Sequence, residues 1–261
     1  MLIGQLKILV MMAYYNRPLM VRNALKSIVK ANEFHQNWHF VFGDDGSSVP
    51  GRPIVEEILK DNLDKVTFIE SNSTFEDKLK NGLLLGKYAN EIMKNSDADV
   101  ALVLCDDDEL FPTYLMNLSK FFNENKDTLY CYSKVHVYNP LFQKSENVDN
   151  ITGCYNQWSD QINPVGKLDV SQVAWRLDCC HKYDAWFGCS TKIIEDKPWV
   201  SDTDRSLFEQ LHDKCGLCHP TNFVGQYKAI HDYQLLWHKN VPTALLWSYD
   251  KMYRELAGVV F

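Results

Sequence analysis

Four short apolar runs alternate with helical stretches along the first part of the chain: Lys7 to Met12, Trp38 to Phe42, Val66 to Glu70 and Val100 to Cys105. Each run is too short for a helix, carries β-branched or aromatic residues and ends in turn residues, as a buried strand does. Between the first two, Pro18 stands where a helix can begin, since its missing N–H would have no partner there anyway. Leu19, Val21, Ala24, Leu25, Ile28 and Val29 then recur at helical spacing on one face. Ile54 to Leu59 and Leu79 to Lys94 read as further helices. This order predicts an α/β fold with a doubly wound, mainly parallel sheet flanked by helices. Such sheets bind ligands beyond the carboxyl ends of their strands. The polar clusters fall there: Tyr15-Asn16-Arg17, Asp44-Asp45-Gly46-Ser47 and Asp106-Asp107-Asp108-Glu109.

Farther on, Pro112 to Asn123 reads as a helix and Thr128 to Tyr138 as a strand, after which the pattern loosens to about Val170. With 261 residues, 46% of them hydrophobic, the chain can bury a real core as one domain. A formal charge of −7 argues against nucleic acid as a partner. The first apolar stretch, Ile8 to Ala13, is too short to span a membrane and lacks a signal peptide's basic front. The expectation is a soluble, cytoplasmic protein whose eight cysteines are reduced thiols. Cys215-Gly-Leu-Cys218-His219 spells a haem-attachment sequence, with Cys179, Cys180 and His181 upstream. A zinc ribbon wants two Cys-x-x-Cys pairs and only one exists, so thiols are the favoured reading.

The acidic run Asp106 to Glu109 follows a buried strand, and its charges repel unless a cation joins them. Mg²⁺ and Mn²⁺ favour such oxygen-rich clusters, completed by substrate phosphate. A solvated loop capping the next helix explains the run alone equally well. Tyr15 and Asp45 shift the balance, because an aromatic face stacks on a base and a carboxylate accepts a base N–H.

The ordered set Met12-Ala-Tyr-Tyr15-Asn-Arg-Pro18, Phe42-Gly-Asp-Asp45-Gly-Ser-Ser48 and Leu104-Cys-Asp-Asp-Asp-Glu-Leu110 resembles the family-2 glycosyltransferases. The resemblance implies a GT-A, Rossmann-like fold in which residues 1–138 form the donor half. Residues 139–261 would form a less regular acceptor-binding half of the same domain. It implies that Tyr15 and Asp45 hold the base of a UDP-sugar, with Ala13, Arg17 and Asp44 beside them. Asp106 and Asp107 would lie by the ribose and diphosphate, and Asp108 would bind Mn²⁺ or Mg²⁺, with Asp106 the alternative ligand. Many relatives have an aspartate where Cys105 stands. They also carry an Arg-Asn pair in the preceding helix, where this chain keeps Asn90 and offers Lys87 as the phosphate contact. A late histidine, His231, would be an additional metal or diphosphate ligand.

An inverting transfer to a glycan or other hydroxyl acceptor needs a carboxylate base. The resemblance points to Asp204, just before a helical stretch, with Asp202 as the alternative and Glu195-Asp196 third. Trp186, beside Phe187 and Gly188, is the candidate sugar-stacking residue. Two rival functions remain: a nucleotidyltransferase, which wants a Gly-rich basic loop after the first strand, and a catalytically silent nucleotide-sugar-binding module.

Overall fold

The computed structural model describes residues 4–72, 84–139, 143–144, 160–188, 191–194, 197–201 and 203–229. Strands β1 (Ile8–Tyr14), β2 (Trp38–Asp45), β3 (Val66–Ser71) and β4 (Val100–Val103) run parallel in the order β3-β2-β1-β4. Central β1 is apolar throughout because both of its faces are covered. Ile8, Val10 and Met12 face one core with Val21, Leu25 and Ile28 of α1 (Pro18–Asn32). Leu9 and Met11 face the other core, with Ala89 and Met93 of α3 (Leu84–Asn95). Pro18 does open α1, and α2 (Arg52–Ile58) leads through a 3₁₀ turn into β3.

After β4 come the short β5 (Glu109–Leu110), α4 (Tyr114–Glu124), β6 (Tyr130–Asn139) and β7 (Gln143–Lys144). Next are β8 (Val173–Arg176), α5 (Leu177–Tyr183), β9 (Thr191–Ile194), β10 (Lys197–Ser201), α6 (Thr203–Cys215) and β11 (His219–Ala229). The main sheet continues β4-β8-β6-β11-β5, with β7 pairing on β6, while β9 and β10 form a separate hairpin. β8 lies antiparallel to both β4 and β6, and β11 runs parallel to β6 and antiparallel to β5. The sheet is thus parallel through β4 and mixed beyond it. The predicted strand from Val100 to Cys105 ends at Val103, although Leu104 still donates its N–H to Met11 at 2.9 Å.

No helix among the described residues is long and apolar enough to cross a membrane. Cys105, Cys131, Cys179, Cys180, Cys215 and Cys218 are free thiols.

A seam on α3 joins the two parts of the chain. The Asn90 side-chain amide donates to the carbonyl of Phe187 and accepts from its N–H, both at 2.9 Å. One turn earlier, a Cβ on Gly86 would meet the Gly188 carbonyl oxygen at 2.2 Å and Thr203 Cγ2 at 3.4 Å. The Gly188 N–H in turn donates to the Thr203 carbonyl at 2.9 Å. Glycine at position 86 is therefore what lets backbone approach backbone. Gly86→Ala should cost about 1–3 kcal/mol through the forced separation. Urea denaturation checks this, and an unchanged midpoint would show that the seam tolerates a side chain.

Candidate active site

The parallel register sets the donor side of the site. Ala13 pairs with Gly43 and Tyr14 with Asp44, so the ends of β1 and β2 stand side by side. On the other flank Tyr15 donates its backbone N–H to Asp106 Oδ2 at 3.1 Å. The three strand-end clusters are thereby brought together. Between the sheet and α3 lies an open, largely apolar cleft lined by Ala13, Gly43, Ile69 and Tyr88 among others. Tyr15 is 37% exposed at the end of β1, whereas Asp45 is buried at the end of β2.

The loops after β1 and β2 shape each other. Asp44 accepts the N–H of Ser47 at 2.9 Å with one oxygen and that of Gly51 at 2.8 Å with the other. Asn16, with φ of 52°, is in the left-handed region that Asn tolerates better than most residues. There its side-chain oxygen accepts from the Ser48 N–H at 2.8 Å and the Ser48 hydroxyl at 3.0 Å. Tyr14, buried and stacked on Phe42, donates its hydroxyl to the Val49 carbonyl. Asp44 is thus committed to holding its own loop.

The acidic run is held by two internal cations. Arg17 Nη1 lies 2.8 Å from Asp106 and 2.9 Å from Asp107. Lys228 Nζ lies 2.9 Å from Asp108 and 3.1 Å from Asp169, with Cys105 Sγ at 4.0 Å. The Asp108 side chain is wholly buried and that of Lys228 is 7% exposed. Lys228 arrives because β11 pairs with β5, Tyr227 opposite Glu109. Asp169 arrives on the turn before β8, where it forms a capping box with Gln172 and accepts from Ser171. Sequence reading missed both residues. Asp169-Val-Ser-Gln172 does carry a legible capping signature, but nothing local marks Lys228 as a partner of Asp108, 120 residues away.

Among the described residues, Arg17 and Lys228 are set against Asp106, Asp107, Asp108 and Asp169. Burial pushes the Asp106 and Asp108 carboxyls above the usual aspartate range, against the opposing pull of Arg17 and Lys228, and neighbouring Asp107 adds to the rise. Burial would also raise Asp169, but Lys228 and the Ser171 donors hold it below that range. One ligand atom each from Cys105, Asp107 and Asp108 lies within 4.8 Å of the others. Burial keeps the Cys105 thiol protonated, so the hard donors for a divalent cation are the two carboxylates. They fit Mn²⁺ or Mg²⁺, with remaining positions left to phosphate and water. Asp106, turned to Arg17 and Tyr15, lies outside this group.

Asp204 sits in the first turn of α6. Burial raises its carboxyl and the charge of Asp169 raises it further, so the second part of the chain brings a carboxylate within electrostatic reach of the acidic cluster. Lys87 is placed in the first turn of α3. Trp186 stands at the other end of that helix. Its indole N–H donates to Asp184, with Lys94 Nζ 4.8 Å from the ring centroid and His181 edge-on at 5.4 Å. Lys94 belongs to the last turn of α3, which leads into the start of β4, so Trp186 lies toward the amino ends of the strands. Asp202, His231, Glu195 and Asp196 lie outside the described residues.

A family model described as glycosyl transferase family 2 matches residues 9–218. Among curated proteins, none matches this chain. Among solved structures, TarS 1-349 of S. aureus in complex with UDP-GlcNAc aligns with a TM-score of 0.63 and 15% identity, over 87% of this chain and 59% of that one. The same TarS fragment with UDP aligns at 0.62 and 15%, over 88% and 63%. The Pyrobaculum calidifontis mannosyltransferase PcManGT, in complex with GDP-Man and Mn²⁺, aligns at 0.58 and 12%, over 88% and 58%. At these identities the likeness is one of fold, and the chain spans about three fifths of each of those structures.

The two bonds to the Asp44 carboxylate predict the effect of removing it. Asp44→Ala should cost about 3 kcal/mol, since each hydrogen bond to a charged group contributes roughly 1.5–3 kcal/mol. Equilibrium urea unfolding measures this, and a wild-type midpoint would show that the loop stands without Asp44.

Proposed function

The chain belongs to glycosyl transferase family 2, and we propose that it moves a sugar from a nucleoside diphosphate sugar to an acceptor hydroxyl with inversion at the anomeric carbon. The observation that carries this reading is the acidic cluster Asp106, Asp107 and Asp108 beside the end of β1, with Asp204 within electrostatic reach of it through Asp169. The base would lie at the ends of β1 and β2, where Tyr15 would stack on it and Asp45 would accept a base N–H. A UDP-sugar is the favoured donor, in keeping with the UDP and UDP-GlcNAc complexes of TarS. Asp107 and Asp108 would hold Mn²⁺ or Mg²⁺, whose chemistry is to stabilise charge on the departing diphosphate. Arg17, next to Asp106 and Asp107, keeps those carboxylates in place at the mouth of the site.

Asp204 is the proposed base. Its carboxylate would take the proton of the acceptor hydroxyl as that oxygen attacks the anomeric carbon. The rise in its proton affinity from burial and Asp169 suits that task, because a more basic carboxylate accepts a proton more readily. Residues 1–138 supply the proposed donor half and 139–261 the acceptor half. The free thiols among the described residues favour a cytoplasmic setting.

A screen of nucleotide sugars for Mn²⁺-dependent hydrolysis tests the reading directly, and absence of turnover with any donor would end it. Asp204→Asn should lower kcat about 10²–10⁴-fold while sparing donor affinity; transfer at the wild-type rate would remove Asp204 as the base. Because the base works only when ionised, kcat/KM should fall as pH drops through the Asp204 pKa. That acid limb should lie above the ordinary aspartate range, since burial raises the group. A limb centred on an unshifted aspartate would contradict the assignment.

A further inference from the structure

Lys228 has no place in the reaction as proposed, yet it sits at the centre of the charged cluster. Its Nζ is 2.9 Å from Asp108 Oδ2, 3.1 Å from Asp169 Oδ1 and 4.0 Å from Cys105 Sγ. Asp108 and Cys105 are two of the three residues whose ligand atoms gather as a cation site. An ammonium thus occupies one of the two carboxylates that a divalent cation would use. Metal and ammonium together at Asp108 would set like charges a few ångström apart in a buried place, where repulsion is weakly screened. The lysine stem is flexible, so the ammonium can withdraw while β11 stays in the sheet.

We propose that Lys228 is the resident counter-ion of the metal site: its ammonium neutralises Asp108 while the donor is absent, and yields that carboxylate to the cation that enters with the donor diphosphate, which the freed ammonium then faces. The inference rests on the metal reading of Asp107 and Asp108 given above. It explains how a wholly buried carboxylate is kept in a folded, empty site, since an unpaired buried charge is strongly destabilising. It also makes metal binding conditional on the donor. Without diphosphate the cation must displace an ion pair; with diphosphate, both the cation and the displaced ammonium gain anionic partners.

The test is Mn²⁺ affinity of the full chain, read from the electron paramagnetic resonance signal of free Mn²⁺, with and without UDP. Wild type should bind Mn²⁺ weakly alone and more tightly with UDP. Lys228→Met should bind Mn²⁺ without UDP about tenfold more tightly, with less dependence on UDP, and Lys228→Arg should stay close to wild type. Lys228→Met removes the ammonium beside the buried Asp108 carboxylate and can fail to fold. The double variant Lys228→Met with Asp169→Asn covers that case, because it removes one charge of each sign. Tightening in the double variant supports exchange at Asp108. Unchanged or weaker Mn²⁺ binding in the folded double variant overturns it, as does tightening confined to the single variant, which would reflect net charge alone. Failure of wild type to bind Mn²⁺ even with UDP would instead remove the metal reading on which the inference stands.

Discussion

Charge matching inside the acidic cluster is the constraint on which the rest of the chain's layout depends. Asp106, Asp107, Asp108 and Asp169 lie at one end of the sheet, with Asp106 and Asp108 buried. Carboxylates in that state raise the energy of the fold unless cations reach them. Arg17 reaches two of them because α1 begins directly after β1, the neighbour of β4. Lys228 reaches the others because the chain returns, after α6, along a strand laid between β6 and β5. β11 in that place brings the Lys228 ammonium to within 2.9 Å of Asp108. The mixed half of the sheet is therefore tied to the electrostatics of the parallel half.

How much of this the sequence carries differs from element to element. β1, α1, β2, α2, β3 and β4 are legible because their apolar spacing is dictated by two flanking cores, visible within a few residues of each strand. Tyr15, Asp45 and the Asp106 run could be found because each directly follows such a strand. β8 is four residues long and preceded by a loose stretch, so no period announces it. Its antiparallel entry is fixed by the partners it meets, β4 and β6, which are distant in sequence. Lys228 is illegible for the same reason: a lysine in a strand ordinarily reads as a solvated edge, and only the β5–β11 pairing buries it. Asp44 shows the opposite limit. Its residue type fits a ligand contact, but its oxygens are consumed by Ser47 and Gly51, which only the turn geometry reveals.

Trp186 shows how packing fixes a residue whose type suits sugar stacking. Its indole is surrounded by Lys94, His181 and Asp184 at the far end of α3, and Gln210 Nε2 donates to its carbonyl. These contacts serve the seam between α3 and α6. The same seam carries Asn90, which the resemblance singles out as the retained half of an Arg-Asn pair. Its bidentate hold on Phe187 fixes the path of the chain toward Gly188 and Thr203. The two parts of the chain thus share a joint, and backbone contacts on α3 hold the segment that leads to Asp204.

That joint gives the burial of Asp204 a chemical meaning. A carboxylate in water is a weak base, and bringing it against another carboxylate costs stability. The fold accepts this cost at Asp204, where Asp169 and desolvation raise the affinity for a proton. The same Asp169 is itself held ionised by Lys228 and Ser171. One aspartate is therefore kept charged by its donors, and it makes its neighbour more basic. In the proposed transfer, these shifted carboxyls would place the proton transfer where β1, β4, β11 and α6 approach one another.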